Sequence, residues 1–241
     1  IPVPSLERQD CIVAAFKRVG SLLASCEQAS ERLDSLVKSQ FIEMFSDKDF
    51  PRRSLSSLST SMQNGLSPSK EGIHRAKVLT LSAVTQGSFD ESAWKEGAFK
   101  DDPSLDKRVS GGCYYVCRGN GNQSLVGTGE FAPTSMLDLV FPDTMIEVRV
   151  KQEEVLPAYL TIAWKQPFTR DQIERFAKTT NGTYKINQKA LGDVEIPVPP
   201  LFLQQQFAAF VAEVDKSRFV VQRQIERLQT LYDSLAQEYF G

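Results

Sequence analysis

Two stretches of the chain carry apolar residues at alternating steps of four and three. In the first, Ile12, Phe16, Val19, Leu23, Cys26, Ser30, Leu33 and Val37 share one phase; in the second, Phe207, Val211, Val214, Arg218, Val221, Ile225, Leu228 and Tyr232 do, continuing to Leu235 and Tyr239. A period of 3.5 held over several turns predicts a long helix with a coiled-coil seam, interrupted here by Ser30 and Arg218. A stretch of about 35 residues would make a rod of about 50 Å at 1.5 Å per residue. Ordinary amphipathic helices packed on a globular core are the plainer alternative.

The two stretches are copies of one another. Residues 1–45 align without a gap to 196–240 at a constant offset of 195: IPVP recurs, Leu6 matches Leu201, Gln9 matches Gln204, Val19 matches Val214, and Glu31, Arg32 and Leu33 match Glu226, Arg227 and Leu228. Each copy begins with a Pro-x-Pro segment, which keeps the residues before proline extended and places the helix start after it. The in-phase repetition favours helices paired with each other, antiparallel across whatever lies between them.

The intervening texture differs, with short apolar runs and glycine turns. Strands are expected at 78–84, 113–118, 125–126, 139–141 and 145–150. Helices are expected at 157–164 and 170–178, the second opened by Thr169 and Gln172 at capping-box spacing. Asn181-Gly182 reads as a turn, and Asn187 as the cap of a short helix that ends at Gly192. The fold class is therefore α+β: a helical repeat at 1–45, one globular α/β domain at 46–195 and a second helical repeat at 196–241.

Composition narrows the function. Of 241 residues, 41% are hydrophobic and 24% charged, enough for a sizeable core and unlike a disordered tail. No apolar run approaches a membrane span and no signal-peptide pattern opens the chain, so a soluble cytoplasmic protein is expected. The first residue is Ile1, not Met, which reads like the middle of a protein.

The chemistry of catalysis is sparse. A nucleophile–histidine mechanism would have to use the single histidine, His74, which sits among Lys70, Arg75 and Lys77. Cys113 and Cys117 lack a second pair at zinc-site spacing and, with Cys11 and Cys26, read as reduced thiols that pack as small hydrophobes. The glycine-rich run from Arg118 to Gly129 has no Gly-Lys-Ser/Thr ending and no third glycine at Rossmann spacing. An aminomethyltransferase Pro-Pro motif is missing too. No catalytic residue and no metal site is expected.

Net charge is −2, yet charge is uneven. Residues 52–77 hold Arg52, Arg53, Lys70, Arg75 and Lys77 against Glu71. Residues 165–189 hold Lys165, Arg170, Arg175, Lys178, Lys185 and Lys189 against Asp171 and Glu174. Basic clusters beside polar loops suit a phosphate backbone, with Asn, Gln, Ser and Thr available for base edges. Solvated charged faces look the same in a sequence.

Together these residues resemble the specificity subunit of type I restriction–modification systems. In that family, helical spacers announced by Ile-Pro-(Leu/Val)-Pro-Pro-Leu-x-x-Gln alternate with target-recognition domains. The motif stands here as IPVPPLFLQ at 196–204 and, less fully, at 1–9, where Ser5 replaces the second proline. NGLSPS at 64–69, the run from Val78 to Phe89, Gly111–Gly127 and TTNGT at 179–183 resemble motifs of the recognition domain, although Gly111, Gly112 and Cys113 replace its usual acidic Gly-Asp. The resemblance spans essentially the whole chain, with one recognition domain where a full subunit has two. It matches the second half of such a subunit with the preceding spacer, or a natural half-length product.

The resemblance implies a non-catalytic reader of one half of a split target in double-stranded DNA. Methylation subunits would dock on the helices, Leu201, Gln204 and Phe207 among the contacts, and a restriction and motor subunit would join them. S-adenosylmethionine and ATP would belong to those partner chains, and a homodimer would supply a second half-site. DNA contacts are expected from Ser69, Lys70, Arg75 and Lys77, from Arg118, Asn120, Asn122 and Gln123, and from Asn181, Thr183 and Lys185. Two readings remain beside this one: a helical scaffold whose insert binds protein, and the C-terminal reader of a fused restriction–methylation enzyme.

Overall fold

The computed structural model describes residues 5–46, 48–69, 71–180 and 182–240. Helix α1 (Leu6–Phe45) comes first. Strands β1 (Arg52–Ser54), β2 (Ser59–Asn64) and β3 (His74–Leu79) follow, then the single-turn α2 (Ser82–Thr85). Strands β4 (Trp94–Phe99), β5 (Arg108–Val109), β6 (Tyr114–Cys117), β7 (Gly119–Asn120), β8 (Gly129–Phe131), β9 (Met136–Val140) and β10 (Met145–Val150) lead to α3 (Pro157–Trp164) and α4 (Pro167–Phe176). The chain closes with β11 (Lys178–Thr180), β12 (Thr183–Lys185), α5 (Gln188–Gly192), β13 (Glu195–Pro197) and α6 (Leu201–Phe240). It divides into two compact units, one of residues 1–47 with 206–241 and the other of residues 48–205.

In the helical unit the repeat is kept to the residue. Helices α1 and α6 are each 40 residues long, and their bounds differ by the same offset of 195 that aligns the sequences. Ser5 opens α1 by accepting a hydrogen bond from the Arg8 backbone N–H. The seam positions Ile12 through Val37 are all buried or half-buried, as are Phe207 through Leu228. Three contacts fix the pairing. The ring of Phe16 meets Tyr232 with centroids 5.0 Å apart, Phe41 meets Phe207 at 5.6 Å, and Arg218 bridges to Asp34 at 2.6 Å. Between the two aromatic pairs an advance of 25 residues along α1 matches a retreat of 25 along α6, so the helices run antiparallel.

The globular unit is built from two four-stranded sheets. One has the order β2-β10-β6-β8 and is antiparallel throughout; the other, β4-β3-β9-β5, contains one parallel pair, β3 with β9. All four residues of β6 are buried because both its faces are covered. Tyr115 and Cys117 face a cluster with Phe141, Leu79, Val84 and Met145, whereas Tyr114 packs on Phe131 and on Trp164 of α3. A polar row crosses the same sheet. Glu147, whose side chain is fully buried, accepts from the Tyr115 hydroxyl at 2.7 Å and from Gln63 and Arg149 at 3.1 Å each.

The globular unit runs past residue 195, and the repeat motif explains why. Ile196 of IPVP lies in β13, fully buried, and pairs with Arg53 of β1, joining the first and last strands of this unit. Gln204 is buried too. Its Oε1 accepts from the Leu156 N–H at 2.8 Å, and its Nε2 donates to the carbonyls of Glu154 and Pro199. The motif glutamine thus satisfies the chain where α3 begins and α6 starts. The first copy of IPVP, at 1–4, lies outside the described residues.

Several local expectations shift. The strand expected at 78–84 is instead β3, ending at Leu79. Adjacent Ala83 and Val84 are both buried, which a strand with one solvent face does not allow and a helical turn does. Leu125 and Val126 are not a strand: Asn122 caps a 3₁₀ turn over Gln123–Leu125 by accepting from the Ser124 N–H. Helix α4 starts at Pro167 rather than Arg170, with Gln166 at its N-cap. Thr169, no cap, is buried in the first turn with its hydroxyl donating to the Ala163 carbonyl. The expectations at 145–150, 157–164 and Asn187 match β10, α3 and the cap of α5.

Candidate nucleic-acid interface

The expected DNA contacts fall into two groups on separate sheets. Ser69, Arg75 and Lys77 gather around β3 and β4: the Ser69 N–H donates to the Ala98 carbonyl, and Ala98 is also the register partner of Arg75. Both cations are exposed and already paired. Arg75 bonds Glu96 at 3.0 Å, and Lys77 bonds Asp138 at 2.9 Å while lying 4.9 Å from the Trp94 ring centroid. That lysine hydrogen bond holds the Asp138 carboxyl below its ordinary range. Exposed pairs of this kind contribute at most about 1 kcal/mol. Lys70 and Asn181 lie outside the described residues.

The second group is assembled by a small sheet of order β11-β12-β7. Tyr184 pairs with Asn120 and Lys185 with Gly119, while Lys178, Thr179 and Thr180 pair with Lys185, Tyr184 and Thr183. Side chains alternate between the faces of a strand. Lys178, Lys185 and Thr183 therefore share one face, and Thr179, Tyr184 and Asn120 share the other. Gly182, at φ 73°, supplies the left-handed residue of the tight β11–β12 turn.

Much of the glycine loop is occupied with holding itself. The Asn120 Oδ1 accepts from the Asn122 N–H, Asn122 accepts from Ser124, and Gln123 donates to the Glu174 carbonyl at 3.3 Å near the end of α4. Arg118 donates to the Asp143 carbonyl. Arg170 lies under this loop, giving hydrogen bonds of 3.0 Å to the carbonyls of Ser124 and Val126. Burial draws its guanidinium below its usual range. Lys165 is bound to Glu130 at 2.6 Å. Of the basic residues at 165–189, these two are structural.

The expected docking residues differ among themselves. Gln204 and Phe207 are fully buried inside the chain, which takes their side chains out of any docking surface, whereas Leu201 is half-buried. Lys178, outside the expected set, stands opposite Lys185 in the same sheet; its position beside TTNGT, four residues before the turn glycine, is the sequence signal for that.

Cys113 and Cys117 are buried, and burial raises both thiols to about 11, which leaves them inert; Cys11 is exposed and Cys26 half-buried. His74 is exposed at the start of β3. Among the described residues no group of three or more His, Cys, Asp or Glu is placed to hold a metal ion. No helix there is long and apolar enough to cross a membrane.

Two antiparallel helices formed by a direct repeat, with a two-sheet domain inserted between them in the chain, make a fold that this chain shares with part of the solved type I restriction–modification specificity subunits. An HsdS subunit from Thermoanaerobacter tengcongensis matches 100% of this chain with a TM-score of 0.53 and 17% identity. The S subunit from M. genitalium matches 98% at 0.62 and 12% identity. A structure describing complex assembly and conformational transition of the type I system matches 99% at 0.58 and 18% identity. This chain spans about 60% of the length of those chains. No family model and no curated protein sequence matches it.

Proposed function

We propose that this chain is a DNA-specificity component of a type I restriction–modification assembly, in which the globular unit reads one half of a bipartite target. The observation that carries the reading is the likeness of essentially the whole chain, paired helices and inserted domain together, to solved S subunits. The small sheet β11-β12-β7 supports it, because its strands β11 and β12 present lysines and a threonine on a single face, residue types that contact a phosphate backbone.

Methylation subunits dock on the helical pair, with a restriction and motor subunit completing the assembly in the cytoplasm. S-adenosylmethionine and ATP are bound by those chains, and this chain performs no catalysis. The docking surface is formed by exposed apolar positions of the helices rather than by Gln204 and Phe207. Leu36 and Leu231, equivalent in the repeat, are 47% and 46% exposed, and Phe219 and Val220 are more so. A second copy of the chain supplies the second half-site where no second recognition domain is joined to this one.

Selection from a randomised duplex pool near physiological salt, with and without a methylation subunit from the same source, tests the reading. Enrichment of a short asymmetric motif is expected, and two motifs at fixed spacing mark a dimer. Salt-sensitive retention without enrichment in either condition overturns specificity and favours a helical scaffold.

A further inference from the structure

Lys178 and Lys185 stand directly opposite each other across β11 and β12. Opposed residues of an antiparallel pair project from the same face with Cβ atoms about 5 Å apart, where like charges repel. Both lysines are exposed, and no carboxylate pairs with either among the described residues. Three other cations of the expected clusters do have a carboxylate partner: Arg75 has Glu96, Lys77 has Asp138 and Lys165 has Glu130. On the far side of Lys185 stands Gly119, where an added Cβ would come within 3.1 Å of the lysine Cγ, so the glycine leaves room for the lysine stem to lie across the sheet. Two lysines at opposed positions of one face, neither paired with a carboxylate among the described residues and one with room made for its stem over β7, form an anion site.

Resting on the reading of this domain as a DNA reader, we propose that Lys178 and Lys185 together hold a single phosphate of the duplex backbone. Thr183, two residues from Lys185 on the same face, then lies beside that phosphate where base edges begin. One shared phosphate makes the two lysines non-additive, unlike two separate backbone contacts.

The test compares the chain with Lys178→Gln, Lys185→Gln, the double variant and the charge-keeping Lys178→Arg. Without DNA at low salt, each single Gln variant should melt roughly 1–3 °C higher, because it relieves a repulsion, and the gain should vanish near 1 M salt. Duplex affinity should fall in the same variants and be kept by Lys178→Arg. The slope of log affinity against log salt should fall by about 0.9 in total, even in the double variant, as for one phosphate. Slope losses adding to about 1.8 overturn the shared phosphate. Unchanged duplex binding in the double variant overturns the lysine site while leaving the DNA reading intact. A wild-type chain that retains no duplex at any salt overturns both. Polyglutamate bound as tightly as duplex, with the same lysine dependence, assigns the face to an acidic protein instead.

Discussion

Arg218 crosses from one long helix to the other and meets Asp34 with 2.6 Å between Nη2 and Oδ1. It occupies a seam position whose counterpart in the first copy is Leu23. Its Nη1 holds Asp215 on its own helix, and its buried Nε has no hydrogen-bond partner among the described residues. A cation there fixes which residues of the two repeat helices face each other, at a cost in desolvation.

Asp34→Ala should therefore cost under about 1 kcal/mol, since Arg218 is one-third and Asp34 more than half exposed, and the cost should disappear near 1 M salt. Arg218→Leu, which restores the residue type of the first copy, should leave stability unchanged or raise it by about 1 kcal/mol. Urea denaturation at low and high salt measures both; a loss from Asp34→Ala that persists in high salt would contradict the electrostatic account.

Phe207 is fully buried against Phe41 and Phe45, with ring centroids 5.6 Å from each. Truncation to alanine should cost about 3–5 kcal/mol. Tyr232, 37% exposed where it meets Phe16, should cost far less on the same change. Denaturation followed by helical circular dichroism separates the two, and equal losses would mean that the pair is no tighter at Phe207.

Glu130 lies almost wholly buried, and burial raises its carboxyl above the ordinary 4.5, with Lys165 pulling the other way. A carboxyl raised on folding contributes stability below its ordinary value and loses it as pH rises through the folded one. Glu130→Gln should accordingly gain stability over the natural chain between pH 4 and pH 7, the gain being largest at the upper end. Melting temperatures across that range decide it; a gain that grows toward acid would reverse the sign.

In the glycine loop, Asn122→Ala should cost about 0.5–2 kcal/mol as the loss of a cap. It and Gln123→Ala should leave the ranking of bound duplexes in place, because both side chains serve the loop and α4. Thr183→Val should change that ranking. Competition among duplexes of the selected motif and its single-base variants is the measurement, and a reshuffled ranking in the Asn122 variant would return it to the base-reading set.

The long-period features were legible without the structure. The 3.5-residue seam and the offset of 195 predicted two long helices of about 35 residues, and each is 40 residues long, because a helix is a local object whose apolar face must repeat every turn. Likewise Met145–Val150, Pro157–Trp164 and the Asn187 cap depend on side chains only a few residues apart. Sequence alone therefore determined the order helix, insert, helix.

Pairings across long separations were settled only by the tertiary structure. Arg53 pairs with Ile196, and Lys77 lies parallel to Leu139; neither partner is visible from the local pattern of the other. Ala83 and Val84 leave the strand only because two sheets bury them both. Asn120 and Gln123 read as free polar loop residues until the fold supplied the backbone groups they satisfy. Lys178 enters the proposed site only because register sets it opposite Lys185, since a strand's own sequence names its faces but not its neighbour.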